Sequence, residues 1–279
     1  MKKVIVLLLA AVLLLSVIGC KKAENKKLTV AMSPDFAPME FVDTSKSGQE
    51  QYVGFDVTLA NFLAKELGME LEIKPMSFDA CMTAVQLGSV DMAISGFSWK
   101  PDRAENFLLS DYYIAGDNET QQSVITVKAK ENTCKTQADF SGWKVGAQAS
   151  SLQEQLVKDE LIPAGAELVV YKSIDDAVLA LQTGKIDALA VAHGNGEAII
   201  ANNPDLAFTG FDFDVDPKYE NNVILLNKNN TEMLEKVNQV LAKAMAAGVY
   251  DGWYEDAKAL AGIPTAADVS YDDDGKPVS

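Results

Sequence analysis

The sequence is poor in the side chains that hold metals and build covalent intermediates. Of its 279 residues one is histidine, His193, and three are cysteine: Cys20, Cys81 and Cys134. None of these falls at the spacing of a metal site, so neither a zinc centre nor a cofactor is expected. Basic residues are scarce as well, 24 Lys and Arg against 40 Asp and Glu for a formal charge of −16. Such a surface repels nucleic acid and an anionic bilayer face, which excludes both as expected partners. Long apolar runs are missing after the first twenty residues. Within those twenty, Lys2 and Lys3 precede the apolar run from Val4 to Leu15 and then Ser-Val-Ile-Gly-Cys at 16–20. A short basic start, about a dozen apolar residues and a small residue before the cut make a secretory signal, too short to span a bilayer.

What remains is ordinary globular composition, 48% hydrophobic and 23% charged, enough for one large or two modest domains. The segment Val17-Ile18-Gly19-Cys20 resembles the bacterial lipobox, which implies cleavage of residues 1–19 and a diacylglycerol on Cys20. The mature chain would then carry 22 basic and 40 acidic residues, so its attachment to the outer face of the membrane must come from the lipid. The exported compartment permits a disulfide between Cys81 and Cys134, but the two fall in different halves of the molecule and none is expected.

Along the mature chain a polar tether (20–27) leads into alternating strands and helices. Residues 28–32 read as a strand, 55–68 as an amphipathic helix ended by Gly68, 69–76 as a strand, 78–88 as a helix and 90–96 as a buried strand. The order recurs downstream, partly with the same letters. Residues 68–94 lie over 165–190 with one gap, matching Gly68 to Gly165, Ser77 to Ser173, Asp79 to Asp175, Gly88 to Gly184 and Asp91 to Asp187 among others. Each copy is strand, helix, strand, which favours two similarly built α/β lobes with parallel-rich sheets. Ligands of such sheets bind beyond the carboxyl ends of the strands. That register aims the loop of Gly96 to Ser98 at the loop of Ala192 to Gly194 and sets His193 at the lip of a cleft.

The segments "LTVAMSPDFAPMEF", "YVGFDVTLANFLAKELG", "ISGFSWKPDRAENFLLSDYY", "WKVGAQASSLQEQ", "GKIDALAVA" and "EMLEKVNQVLAKAMAAGVYDGWYED" resemble, in order, the family 3 extracellular solute-binding proteins, which deliver amino acids to ABC importers. The resemblance implies two similar α/β lobes joined by two hinge strands, the type II binding-protein architecture. Lobe 1 would comprise 28–115 and 222–265 and lobe 2 residues 116–221, crossing near 112–116 and 220–223, with a disordered acidic tail at 266–279. It further implies a monomer that closes around one small carboxylated ligand and is read by a membrane permease. Arg103, in Ser98-Trp99-Lys100-Pro101-Asp102-Arg103, would fork onto the ligand's carboxylate in two charge-assisted hydrogen bonds, which lysine cannot reproduce. Ser98 would add a hydroxyl, Gly96 its open backbone, and Ser150 and Ser151 an amide at a helix start. Phe36 would stack on the ligand, and Phe97, Trp99 and Cys81 would either line the pocket or pack in the core.

One position departs from the family. Relatives place an Asp, which holds the ligand's ammonium, where this chain has Ala192. A buried ammonium without an ionised partner costs several kcal/mol, on the order of a lost ion pair. Either another acceptor serves, with Asp35 and Glu119 as candidates, or the ligand presents a neutral or anionic group to His193 and the glycines after it. Asp56 is expected to cap the helix it opens, and Glu40 to be structural. Two other functions fit the fold less well. A sensor domain would need a signalling partner, and a dehydratase-like enzyme would need His193 or Glu197 as its acid–base group.

Overall fold

The computed structural model describes residues 26–113, 121–219 and 221–265, together with 270–271 and 277–278. The signal segment, Cys20 and Glu119 lie outside these residues. The tether's last residue, Lys27, already belongs to a strand. The chain opens with β1 (Lys27–Met32) and a small antiparallel apron of β2 (Asp35–Phe36), β3 (Glu40–Val42) and β4 (Tyr52–Val53). There follow α1 (Phe55–Glu66), β5 (Glu70–Pro75), α2 (Phe78–Leu87), β6 (Met92–Ala93), α3 (Pro101–Asn106) and β7 (Leu108–Leu109). The second lobe holds β8 (Gln122–Val127), β9 (Lys144–Gln148), α4 (Leu152–Leu156), β10 (Glu167–Tyr171), α5 (Ile174–Gln182), β11 (Ala188–Ala192), α6 (His193–Asn202) and β12 (Leu206–Asp212). The chain then returns to the first lobe through β13 (Leu225–Leu226), α7 (Thr231–Ala247) and α8 (Tyr250–Leu260).

The two five-stranded sheets have one topology. The first runs β5-β1-β6-β13-β7 and the second β10-β9-β11-β8-β12. In each, the first three strands are parallel and the fourth, reached across the lobe junction, is antiparallel. The sequence duplication is therefore a duplication of β5-α2-β6 in β10-α5-β11. Its matched residues do matched work. Ser77 and Ser173 are the N-cap residues of α2 and α5, and Gly88 and Gly184 turn left-handed at φ 68° and 71° just past them. Asp91 accepts the backbone N–H of Thr29 at 2.7 Å, and Asp187 that of Lys144 at 3.0 Å, so each aspartate pins the middle strand of the parallel trio in its sheet.

Each lobe has its own core. In the first, α1 buries Phe55, Leu59 and Leu63 against Leu28, Val30 and Ile224 on one face of the sheet, and α2 buries Phe78, Cys81 and Val85 against the other. In the second, Phe140, Leu156 and Phe211 cover one face, and Ile125, Leu181 and Leu189 the other. Cys81 and Cys134 are both free and buried, one in each lobe. Between the lobes Tyr113 and Asn222 pair as an isolated antiparallel bridge, and Asn222 pairs with Ser98 as well.

Three expectations change. The strand expected over 90–96 keeps only Met92–Ala93 in the ladder, because Gly96 takes φ 56° and gives its N–H to a side chain instead. In the tail expected to be disordered, β14 (Ser270–Tyr271) pairs with β15 (Pro277–Val278). Asp56 does not cap α1. The cap position is Gly54, and the first amides of the helix are taken by backbone carbonyls, Phe55 N–H by Pro38 O at 3.0 Å and Asp56 N–H by Met39 O at 2.8 Å. Among the described residues no helix is long and apolar enough to cross a membrane.

Candidate functional site

Where the two lobes meet, the first contributes the turn after β6. Its backbone is fixed from the return segment: Trp99 N–H donates to Asn221 O and Val223 N–H to Phe97 O. Pro101, whose fixed φ suits a first helical position, then starts α3 and brings Arg103 round on its first turn. Arg103 is 2% exposed. Its guanidinium lies 5.3 Å from the ring centroid of Phe97 and 5.5 Å from that of Phe78, which are themselves stacked at 4.5 Å. One terminal nitrogen donates to Ser98 O at 2.5 Å, within its own lobe, and the other to Ser150 O at 2.9 Å, across the junction. The remaining Nε–H is buried without a partner, and no described carboxylate pairs with the group. Burial lowers its pKa to about 10, so it keeps its charge at neutral pH. An uncompensated buried cation of this kind calls for an anion.

The sequence reading missed the second cation. Lys100 is 8% exposed, with its pKa lowered by burial and by the neighbouring Arg103. It faces Ser150, Ser151 and Glu154 across a cavity of about 390 Å³. The lobe-2 side of that cavity is the start of α4. Ser151 is the N-cap, its Oγ accepting from Glu154 N–H at 3.0 Å, and the helix continues beyond Leu156 as a π turn. Ser150 stands at φ 64°, and its N–H is taken by the Glu154 carboxylate at 2.5 Å. An anion therefore already sits at this amide, supplied from within the helix. Ser-x-x-Glu from 151 to 154 was the signal available in the sequence.

Asp35 forms the other half of the junction. It accepts Ile174 N–H at 2.8 Å, capping α5 from the opposite lobe, and Ser33 Oγ–H at 2.9 Å. Gln148 Nε2 lies 3.4 Å from both of its oxygens. Burial raises its pKa, opposed by these hydrogen bonds. Gln148 and Ser150 belong to one short stretch, so that stretch is gripped by Asp35 at one end and Arg103 at the other. Phe36 is half-buried with its ring against Gly96, where an added Cβ would stand 2.7 Å from Cε1. Asn195, 1% exposed on α6, donates to Ala37 O at 2.9 Å across the lobes. Trp99 stacks at 6.2 Å on Tyr219, which packs on the second lobe's core.

Not every expected residue joins this arrangement. Phe97 and Cys81 are 0% exposed and belong to the first lobe's core; Phe97 serves the site by backing the guanidinium. Burial and the charge of Glu40 push the Cys81 thiol up, which leaves it unreactive. Ala192 is 2% exposed at the end of β11, paired with Gln122. His193 turns its ring into its own lobe. Its ring lies flat on Phe208 at 4.4 Å and 5°, and its Nδ1 is 2.8 Å from Ser123 Oγ, which donates to Asp212 at 2.6 Å. All of these partners are in the second lobe.

The sequence model of the bacterial extracellular solute-binding proteins, family 3, matches residues 28–256. The arginine-binding extracellular protein ArtP of Bacillus subtilis (strain 168) is 29% identical over 247 residues, covering 86% of this chain and 92% of that protein. A protein of Campylobacter jejuni described as a probable histidine-binding protein is 28% identical over 271 residues, covering 90% of this chain and 96% of its own. Among solved structures, the amino acid ABC transporter substrate-binding protein AbpA of Streptococcus pneumoniae, bound to L-arginine, superposes with a TM-score of 0.78 at 33% identity. It covers 88% of this chain and 100% of that one.

Proposed function

The chain belongs to the bacterial extracellular solute-binding proteins, family 3, and we propose that its Arg103 is the seat of the carboxylate of an amino acid or close analogue captured for an ABC importer. The observation that carries this is the buried guanidinium that bridges both lobes while one of its N–H groups lacks a partner. A carboxylate arriving there gains charge-assisted hydrogen bonds from Arg103 in one lobe and from the amides around Ser150 and Ser151 in the other. It displaces weaker backbone contacts, and its differential affinity for the closed arrangement supplies the closing free energy. Gly96 and Ser98 lie beside it and Phe36 flanks it. Ser150 releases its amide once Glu154 swings away.

Ala192 leaves the ligand's cationic group without the carboxylate that relatives present at this position. Asp35 takes that part from the opposite lobe, lying at the junction against Gln148 and the start of α5. An α-ammonium there is consistent with the arginine-bound structural neighbour. The site is one of binding, with no residue assigned to turnover. The lobes divide near 116 and 221, the protein works as a monomer beside a permease, and Cys20 anchors it by lipid outside the cytoplasm.

Calorimetry against L-arginine, L-histidine, L-cystine and the 2-keto analogue of arginine tests the reading. One amino acid binding in a one-to-one complex, with the keto acid weaker, is the expected result. Failure of every standard amino acid to bind or to raise the melting temperature would overturn it. Asp35→Asn is expected to weaken the amino acid at least tenfold, the order of a truncated charged pair, while leaving the keto acid within about threefold.

A further inference from the structure

Beneath the Gly96 turn lie two carboxyl groups that ligand contact does not use. Glu40 on β3 and Asp56 on α1 are both 0% exposed. Asp56 Oδ2 accepts Gly96 N–H at 2.7 Å and Tyr113 Oη–H at 3.0 Å. Ser95 Oγ–H bonds Glu40 Oε1, and Ser95 Oγ in turn accepts Ser33 N–H at 2.9 Å. The other two oxygens, Glu40 Oε2 and Asp56 Oδ1, are buried acceptors without a donor. The two side chains are neighbours in the fold: Asp56 N–H donates to the carbonyl of Met39, next to Glu40, and their partners Ser95 and Gly96 are consecutive residues. Two buried carboxylates so placed resist ionising together, and one proton between them would satisfy both orphaned oxygens at once.

We propose that Glu40 and Asp56 share a proton and act together as positioning residues, holding Ser95 and Gly96 of the ligand turn and Tyr113 of the first crossing segment in the binding-ready arrangement. Three distant pieces of the chain converge on this pair: the end of β1 through Ser33 and Ser95, the ligand turn through Gly96, and the lobe junction through Tyr113. Removing the last proton would leave two repelling charges under the turn and loosen all three. The other titratable groups facing the pair give no relief. Asp35 and Cys81 act on Glu40 or are acted on by it, Tyr113 touches Asp56, and Tyr250 and Tyr254 pack against Phe55 beside it; none is a cation. Burial and mutual repulsion raise the Glu40 carboxyl well above the ordinary range, and burial lifts Asp56 to about 7.

The sign follows. With both folded values raised above the unfolded ones, the contribution of the pair is fully present below about pH 4. It is lost as pH rises through the two raised values, that of Asp56 being about 7. Glu40→Gln keeps the shape, donates permanently to Asp56 and cannot titrate.

The test uses the ligand-free protein first. Infrared spectroscopy at about pH 8 should show the C=O band of a buried protonated carboxyl, lost in Glu40→Gln. Exchange protection of the Gly96 amide should fall with rising pH beyond the intrinsic trend in the natural chain and stay flat in the variant. With L-arginine as probe, affinity should hold while the carboxyl band persists and fall roughly tenfold over the pH range in which it disappears, but change less than twofold over the same range in Glu40→Gln. Asp56→Asn, which also retains shape, repeats the comparison should Glu40→Gln fail to fold. Absence of the protonated carboxyl, or parallel pH profiles in chain and variant, overturns the proposal. The arginine measurement rests on the functional reading above. L-arginine failing to bind at any pH would count against that reading, while the ligand-free measurements still decide the shared proton.

Discussion

Arg103→Ala is expected to weaken ligand binding by about 10²–10³-fold while leaving the protein folded. Truncating one partner of a buried charged pair costs about 2–5 kcal/mol or more in complexes, and each 1.4 kcal/mol is tenfold in affinity. The folded state should tolerate the loss because Arg103 has no described carboxylate that would be left unpaired. What disappears with it is one bond to Ser98 O, one to Ser150 O and packing over Phe78 and Phe97. Removing a desolvated cation offsets much of that. Arg103→Lys tests the fork rather than the charge. An ammonium on a flexible stem can reach one carbonyl but cannot span Ser98 and Ser150 in one plane, so at least a tenfold loss is expected here too. Calorimetry gives the affinities and thermal melts of the unliganded proteins give the stabilities. An alanine variant that binds within threefold of the natural chain would show that the carboxylate lies elsewhere.

The repeated architecture was legible because its signals are local. Glycines past helices, serines before them and aspartates at strand starts act on neighbours a few residues away. Two copies at one spacing, Gly88 with Gly184 and Asp91 with Asp187, therefore mark two equivalent lobes. Arg103 was legible through the resemblance of the segment around it, and the structure places it at the junction of the lobes. What could not be read were roles set by partners far along the chain. Asp56 looks like a cap because it opens a helix, yet its acceptor oxygen meets Gly96, 40 residues away. His193 looks like a ligand residue because the chain's only histidine ends a buried strand. In the fold α6 starts there and packs tightly on its sheet: a Cβ on Gly196 would stand 2.7 Å from the Phe208 ring. Gly196 answers to close helix–strand packing.

Gly54→Ala is expected to be among the most destabilising single-methyl changes in the protein, for the same reason that Asp56 is free to turn inward. Gly54 has φ 119° and ψ 180°, a region that side chains rarely adopt. A Cβ there would lie 2.3 Å from Met39 O and 2.7 Å from Pro38 O. These two carbonyls supply the caps of α1, accepting Asp56 N–H and Phe55 N–H, so the clash cannot be relieved without giving up the caps. Strain of about 1–3 kcal/mol and the loss of backbone hydrogen bonds at about 1 kcal/mol each add to roughly 3–5 kcal/mol. For a chain of this size that lowers the melting temperature by roughly 10 °C or more. Gly48→Ala is the control. It also has a positive φ, 64°, but its Cβ would meet nothing within 4 Å, so only the left-handed penalty of about 1 kcal/mol applies. Melting curves of the two variants separate the close approach from the backbone preference. Equal losses would mean that Pro38 and Met39 can move aside. The caps of α1 would then be dispensable, and the inward course of Asp56 toward Gly96 and Tyr113 would need another support.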